Sequence, residues 1–130
     1  MHKNYIATAA IFGGLAVAFG AFGAHGLESI TADEKILHSF QTGVQYQLYH
    51  ALALLAIAIL FDSFSSRRMI WAANCFIAGI LLFSGSLYLL TFLKIQGSTA
   101  VRFVGPITPV GGLFFIAGWL FLLLAVVHKK

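Results

Sequence analysis

Apolar residues run through this chain in four long blocks, and short polar breaks separate them. Tyr5 to Ala24, Gly43 to Phe61, Met69 to Leu93 and Pro109 to Val127 each contain no Asp, Glu, Lys or Arg. A helix rises about 1.5 Å per residue, so ~20 apolar residues cross the ~30 Å hydrocarbon core of a bilayer. The pattern predicts an all-α membrane protein: a four-helix transmembrane bundle with spans near 5–24, 43–61, 69–93 and 109–127, forming one integral membrane domain over 1–130.

The first block has the outline of a signal peptide, since Lys3 precedes it and small residues close it. Signal-peptide apolar regions run about 7–15 residues, however, and this block is longer, so a retained first span is expected. Within it Ala16, Gly20 and Ala24 form a ladder of small residues four apart, with Ala10/Gly14 and Ala9/Gly13 as further pairs that permit close helix approach in lipid. Gly26 can stop this helix, and Thr31-x-x-Glu34 has the form of a capping box. The second helix is then expected from about Ala32 to Phe61, roughly 45 Å at the standard rise, so that its polar first third projects from the core or tilts.

Asp62 to Arg68 is a polar loop in which Ser65 or Ser66 can cap the third helix, and Lys94 to Arg102 is the next exposed connection. Gly105-Pro106-Ile107-Thr108-Pro109-Val110-Gly111-Gly112 interrupts the apolar pattern, because proline lacks an N–H donor and disfavours helix in the residue before it. An extended approach to a helix starting near Pro109 is expected, with a re-entrant element lining a cavity as the alternative. His128-Lys129-Lys130 anchors the end at the lipid headgroups.

Composition agrees with the pattern: of 130 residues 60% are hydrophobic and only 9% charged, with a mean hydropathy of +0.93, whereas soluble domains carry about 25% charged residues. No soluble catalytic domain fits beside four spans, and an enzyme is not expected. The net charge of +4 does not point to nucleic acid, since no run of Lys and Arg exceeds two residues and the cations sit at the ends of apolar blocks. Lys3, Arg67, Arg68, Lys129 and Lys130 fall on one side of a four-span topology, against Lys35, Lys94 and Arg102 on the other. The excess puts both termini in the cytoplasm, or its topological equivalent. Cys75 stands alone without metal-ligand spacing around it, and neither metal nor cofactor is expected. Phe61 and Trp71 near one boundary, and Tyr46, Tyr49 and Phe103 near the other, form an interfacial aromatic belt.

Candidate chemistry concentrates in His38 to His50, where hydrogen-bonding side chains gather inside a span. At about 100° per residue His38, Thr42, Gln45 and Tyr49 share one stripe, flanked by Ser39, Gln41, Tyr46 and His50, while Leu37, Phe40, Val44, Leu48, Ala51 and Leu55 take the opposite side. Polar groups in hydrocarbon are costly unless paired, so the stripe is expected to face other helices, a cavity or the aqueous boundary rather than lipid, and Phe40 and Val44 need not behave alike. His25, His38, Gln41, Thr42, Gln45, Tyr46, Tyr49 and His50 are therefore the candidate ligand or polar-cavity residues, and none is expected to be catalytic. His50 with Tyr46, or His25 near Gln45, can relay protons; the same side chains can equally satisfy one another and hold helices together. The stripe ends where Ala51 to Leu60 turns wholly apolar, which closes a transport path in a monomer. An accessory or structural role, in the membrane or toward a membrane-protein partner or second copy, is the favoured expectation; a small transporter, channel or lipid-binding protein is the alternative.

Four stretches, Gly20 to Leu27, Thr42 to Leu54, Gly85 to Leu90 and Gly105 to Gly112, together resemble the YgdD/YwdK family of small four-span membrane proteins. That resemblance covers nearly the whole chain and implies topology and a membrane location, in bacterial inner membranes and in eukaryotic mitochondria. The family supplies no catalytic residues to carry over.

Overall fold

A computed structural model describes residues 1–129, and Lys130, expected as part of the terminal anchor, lies outside the described residues. Helix α1 (Lys3–Phe22) continues through a π-helical turn, Gly23–Leu27, and α2 runs Glu34–Leu60. The third span comprises α3 (Arg67–Gly79), a second π-helical turn at Ile80–Ser84 and α4 (Gly85–Ile95); the short α5 (Val101–Val104) and α6 (Ile107–Val127) form the fourth. Four helical stretches, Lys3–Leu27, Glu34–Leu60, Arg67–Ile95 and Val101–Val127, are long and apolar enough to cross a membrane. The protein is an all-α, four-span bundle.

Local chemistry explains the helix starts. Asp33, in extended backbone, caps α2 by accepting from the Lys35 N–H at 2.9 Å, and Glu34 in the first turn complements the helix dipole. Thr31 is not the cap: its Oγ1 accepts from Asp33 N–H at 3.2 Å in a turn before the helix, so α2 begins two residues later than the capping-box pattern indicates. Ser66 caps α3 by accepting from Met69 N–H at 3.4 Å. The segment around the two prolines is neither re-entrant nor extended. Gly105 N–H bonds Val101 O at 2.9 Å, Pro106 caps α6, and Pro109 falls in the first turn of that helix, where its missing N–H leaves no acceptor wanting. Gly105 adopts helical backbone before proline because it lacks the Cβ that such a residue usually sets against the ring.

The second and third spans pack on each other at the centre of the bundle. α1 packs on α2 and α6 packs on α3, with no comparable interface between α1 and α6 among the described residues. The two central spans are accordingly the buried ones, 50% and 44% over their apolar windows against 11% and 22% for the outer two. Leu54, Ile57, Met69, Ala72, Ala73 and Phe76 form the core toward the Asp62 end, all at 0% exposure. Leu27, Phe40 and Val44 make a second cluster toward the other end.

Close approach depends on missing side chains. A Cβ on Gly111 would lie 2.3 Å from Phe83 N and 2.7 Å from its Cα, so α6 crosses the second π-turn backbone to backbone. Below that crossing, Phe115 covers Gly79 and Phe76 covers Gly118, two reciprocal ring-over-glycine contacts that lock α3 to α6. Where α1 packs on α2, Ala9 and Ala16 are buried, and Gly20 and Gly23 face Val44 and Phe40. The expected ladder therefore holds at Ala16 and Gly20, but Ala24 is exposed and Gly23 takes its place.

Candidate functional site

The buried face of α2 carries Phe40, Val44, Gln47, Ala51, Leu54 and Ala58, at alternating spacings of four and three. Phe40 and Val44, on the side opposite the predicted polar stripe, thus lie in the core. Gln47, 2% exposed, joins three spans: its Nε2 donates to Phe12 O at 2.8 Å, and its Oε1 accepts from Tyr88 Oη at 2.6 Å. Tyr88 in turn meets Phe19 and Phe40 edge-on or tilted, with ring centroids about 5 Å apart.

One helical turn further on, His50 does the same toward the fourth span. Trp119 Nε1, which can only donate, bonds His50 Nε2 at 3.1 Å, so the ring proton sits on Nδ1 and is donated to Tyr46 O at 2.8 Å. Phe115 stacks on the imidazole at 3.6 Å and 10°, and the Phe76 edge closes it from the third span. Both ring nitrogens are engaged. An imidazole held this way has no free lone pair for a metal or a substrate proton without losing Trp119.

Smaller contacts follow the same rule. Ser84 Oγ donates to Gly43 O at 2.6 Å where the second and third spans cross, and Gly43 is needed there because a Cβ would meet the Tyr88 ring at 3.0 Å. Ser86 spends its single proton on Phe83 O at 2.8 Å, so Thr108 donates in the 2.5 Å pair between their hydroxyls. Tyr5 Oη donates to Asn74 Oδ1 at 2.9 Å. Among the described residues no buried side-chain nitrogen or oxygen lacks a hydrogen-bond partner.

The predicted stripe lies on the opposite face. His38, Gln41, Gln45, Tyr46 and Tyr49 are exposed, and Thr42 is half-buried with its hydroxyl donating to His38 O at 3.0 Å. His25 is exposed in the first π-turn, away from His50. Of the eight candidates only His50 is buried; Thr42 is half-buried, and Tyr46 lies beside His50 with its ring 4.8 Å from that of Phe83. Beside them an apolar groove of about 420 Å³ opens between the second and fourth spans, lined by Tyr46, His50, Phe83, Pro109, Leu113 and Trp119. Sequence reasoning missed Gln47, Tyr88 and Trp119. The available signal was the second heptad-spaced series from Phe40 to Ala58, in which Gln47 is the one polar member.

The geometry describes a braced bundle, and comparison with known proteins places it. The family described as "Protein of unknown function (DUF423)" matches residues 19–112. The chain belongs to the DUF423 family. It is 45% identical over 126 residues to the UPF0382 membrane protein YwdK of Bacillus subtilis, covering 96% of this chain and 97% of that one. A UPF0382 membrane protein of Haemophilus influenzae is 40% identical over 122 residues, 92% of this chain and 90% of its own. Another, from Schizosaccharomyces pombe, is 39% identical over 111 residues, 85% and 91% of the two chains. No solved structure matches the chain. The DUF423 family has no established activity, and its members are named membrane proteins, in agreement with the four spans.

Proposed function

We propose that this DUF423 protein is an accessory, non-catalytic component of the inner (plasma) membrane, with both termini cytoplasmic, that supports a membrane partner or the bilayer itself. The observation that carries this reading is the complete pairing of the buried polar groups: Gln47, His50, Ser84 and Ser86 are all consumed in fastening one span to another. A conduction path needs polar groups free to exchange partners with a solute. Here the polar level ends at His50, and Leu54, Ile57, Met69, Ala72, Ala73 and Phe76 at 0% exposure fill the space beyond it. The orientation rests on the cation excess at the end that holds Arg67, Arg68 and Lys129.

A second reading uses the groove between the second and fourth spans, whose 420 Å³ lies within the range of about 300–1,000 Å³ typical of small-molecule sites. It would hold an apolar ligand or a lipid chain. The test of the accessory reading is flux: the purified protein in liposomes, assayed for proton, ion and small-solute movement, is expected to match empty liposomes. Reproducible flux that disappears in His50→Ala overturns the reading.

A further inference from the structure

We propose that α2 pairs with α2 of a second copy of this chain, through the face that carries His38, Thr42, Gln45, Tyr49, Leu52, Ala56 and Ile59. These positions follow one another at spacings of four, three, four, three, four and three, a heptad seam running the length of the span. All are exposed except the half-buried Thr42. The opposite seam, Phe40 to Ala58, has the same period and is already filled by the first and third spans. α2 is therefore built with two packing faces, of which one chain occupies one.

Depth says that the free face is not meant for lipid. Gln45 lies fifteen residues before Leu60, about 22 Å along the axis, hence inside a ~30 Å core whose inner boundary falls at the end of α2. Its amide makes no hydrogen bond among the described residues, whereas Gln47, two residues on, has both ends satisfied. Acyl chains offer the Gln45 amide nothing. The seam also identifies its occupant. In a two-fold pair with its axis along the membrane normal, each residue meets its own counterpart at the same depth. An amide is both donor and acceptor and so satisfies a copy of itself; Ala56 against Ala56 permits close approach; and the seam contains no Asp, Glu, Lys or Arg to repel its image. Polar positions in a heptad seam set register, and the upper half of this one, with His38, Thr42, Gln45 and Tyr49, is polar while Leu52, Ala56 and Ile59 below it are apolar.

This assignment deepens the accessory reading by naming the chain's own copy as one partner, and its test is separate from flux. Single cysteines are placed along α2 in the full-length Cys75→Ala protein, in native membranes, and oxidised with copper phenanthroline. Dimers are expected at Gln45→Cys, Leu52→Cys and Ala56→Cys, about tenfold stronger than at Leu48→Cys on the same helix or Ile11→Cys on the first span, because a disulfide needs Cβ atoms ~3.5–4.5 Å apart. Yields that follow the 3.5-residue period support the pairing. Absence of dimer at every seam position, or equal yield on all faces, overturns it. Cross-links from the seam to a different polypeptide also overturn it, while leaving the accessory reading in place.

Discussion

Gly111 and Gly112 are neighbours on α6, yet replacing each by alanine is expected to have opposite effects. A Cβ on Gly112 meets nothing nearer than the Phe83 ring at 3.8 Å, an ordinary contact, so Gly112→Ala retains the packing and gains up to about 1 kcal/mol from helix propensity. A Cβ on Gly111 would stand 2.3 Å from Phe83 N and 2.8 Å from Leu82 C, against the ~3.5–4.0 Å of comfortable contact. The obstructing atoms are backbone and cannot rotate away, so α6 and the third span must part by about 1 Å, a gap that forfeits up to half of each contact across the crossing. Overpacking costs about 1–3 kcal/mol in general, and the upper end applies because the Ser86–Thr108 hydroxyl pair and the Phe115–Gly79 contact share this interface. Since the propensity gain is common to both variants, Gly111→Ala should be less stable than Gly112→Ala by about 3 kcal/mol. Reversible unfolding in mixed detergent micelles, followed by Trp71 and Trp119 fluorescence, measures the difference. Two variants within ~0.5 kcal/mol of each other, the scatter of ordinary surface changes, would refute the backbone crossing.

Three further outcomes follow from the same geometry. Tyr88→Phe leaves Gln47 Oε1 unpaired in the interior and should cost about 1–2 kcal/mol, whereas Gln47→Leu combined with Tyr88→Phe should cost less than the sum of the single changes, read by the same unfolding experiment as a double-mutant cycle. Gly97 holds φ +69° in the turn after α4, so Gly97→Ala should lose about 1 kcal/mol through backbone strain, although nothing lies within 4 Å of the added Cβ. Reporter fusions after Ser65 should read cytoplasmic and one after Gly97 external; a cytoplasmic signal at Gly97 would reverse the proposed orientation.

The number of spans and a cap at Ser66 were legible because they depend on local hydropathy and on a single serine, whereas the extended approach expected around the two prolines was not found, because Gly105 without a Cβ holds helical backbone before Pro106. The facing of α2 was not legible. Polarity decides inside from outside in water, where the core is the apolar side, but lipid is as apolar as a core, so a polar stripe and an apolar stripe are each compatible with either direction. Phe40 and Val44 went inward because Gly20 and Gly23 leave room for them, which is a property of a different helix. Gln47 was hidden for the same reason: its partners, Phe12 O and Tyr88, lie 35 and 41 residues away in the chain. Gly111 was read as part of a break in the apolar pattern and Gly118 was passed over, although the two, seven apart, mark the ridge that meets the third span. The His50–Trp119 pair, 69 residues apart, has no local signature at all.

The central claim is that the polar groups of the interior are fasteners with fixed partners, and His50 is where it can be tested most directly. Solid-state NMR of the protein in lipid, with labelled histidine ring nitrogens and His2, His25, His38 and His128 replaced by glutamine, reports which nitrogen carries the proton. The structure predicts a single species with Nδ1 protonated and Nε2 accepting, and a correlation from Nε2 to the Trp119 indole N–H that vanishes in Trp119→Phe. A proton on Nε2, or a mixture of ring forms without contact to Trp119, would contradict the account and return His50 to the list of groups free to do chemistry.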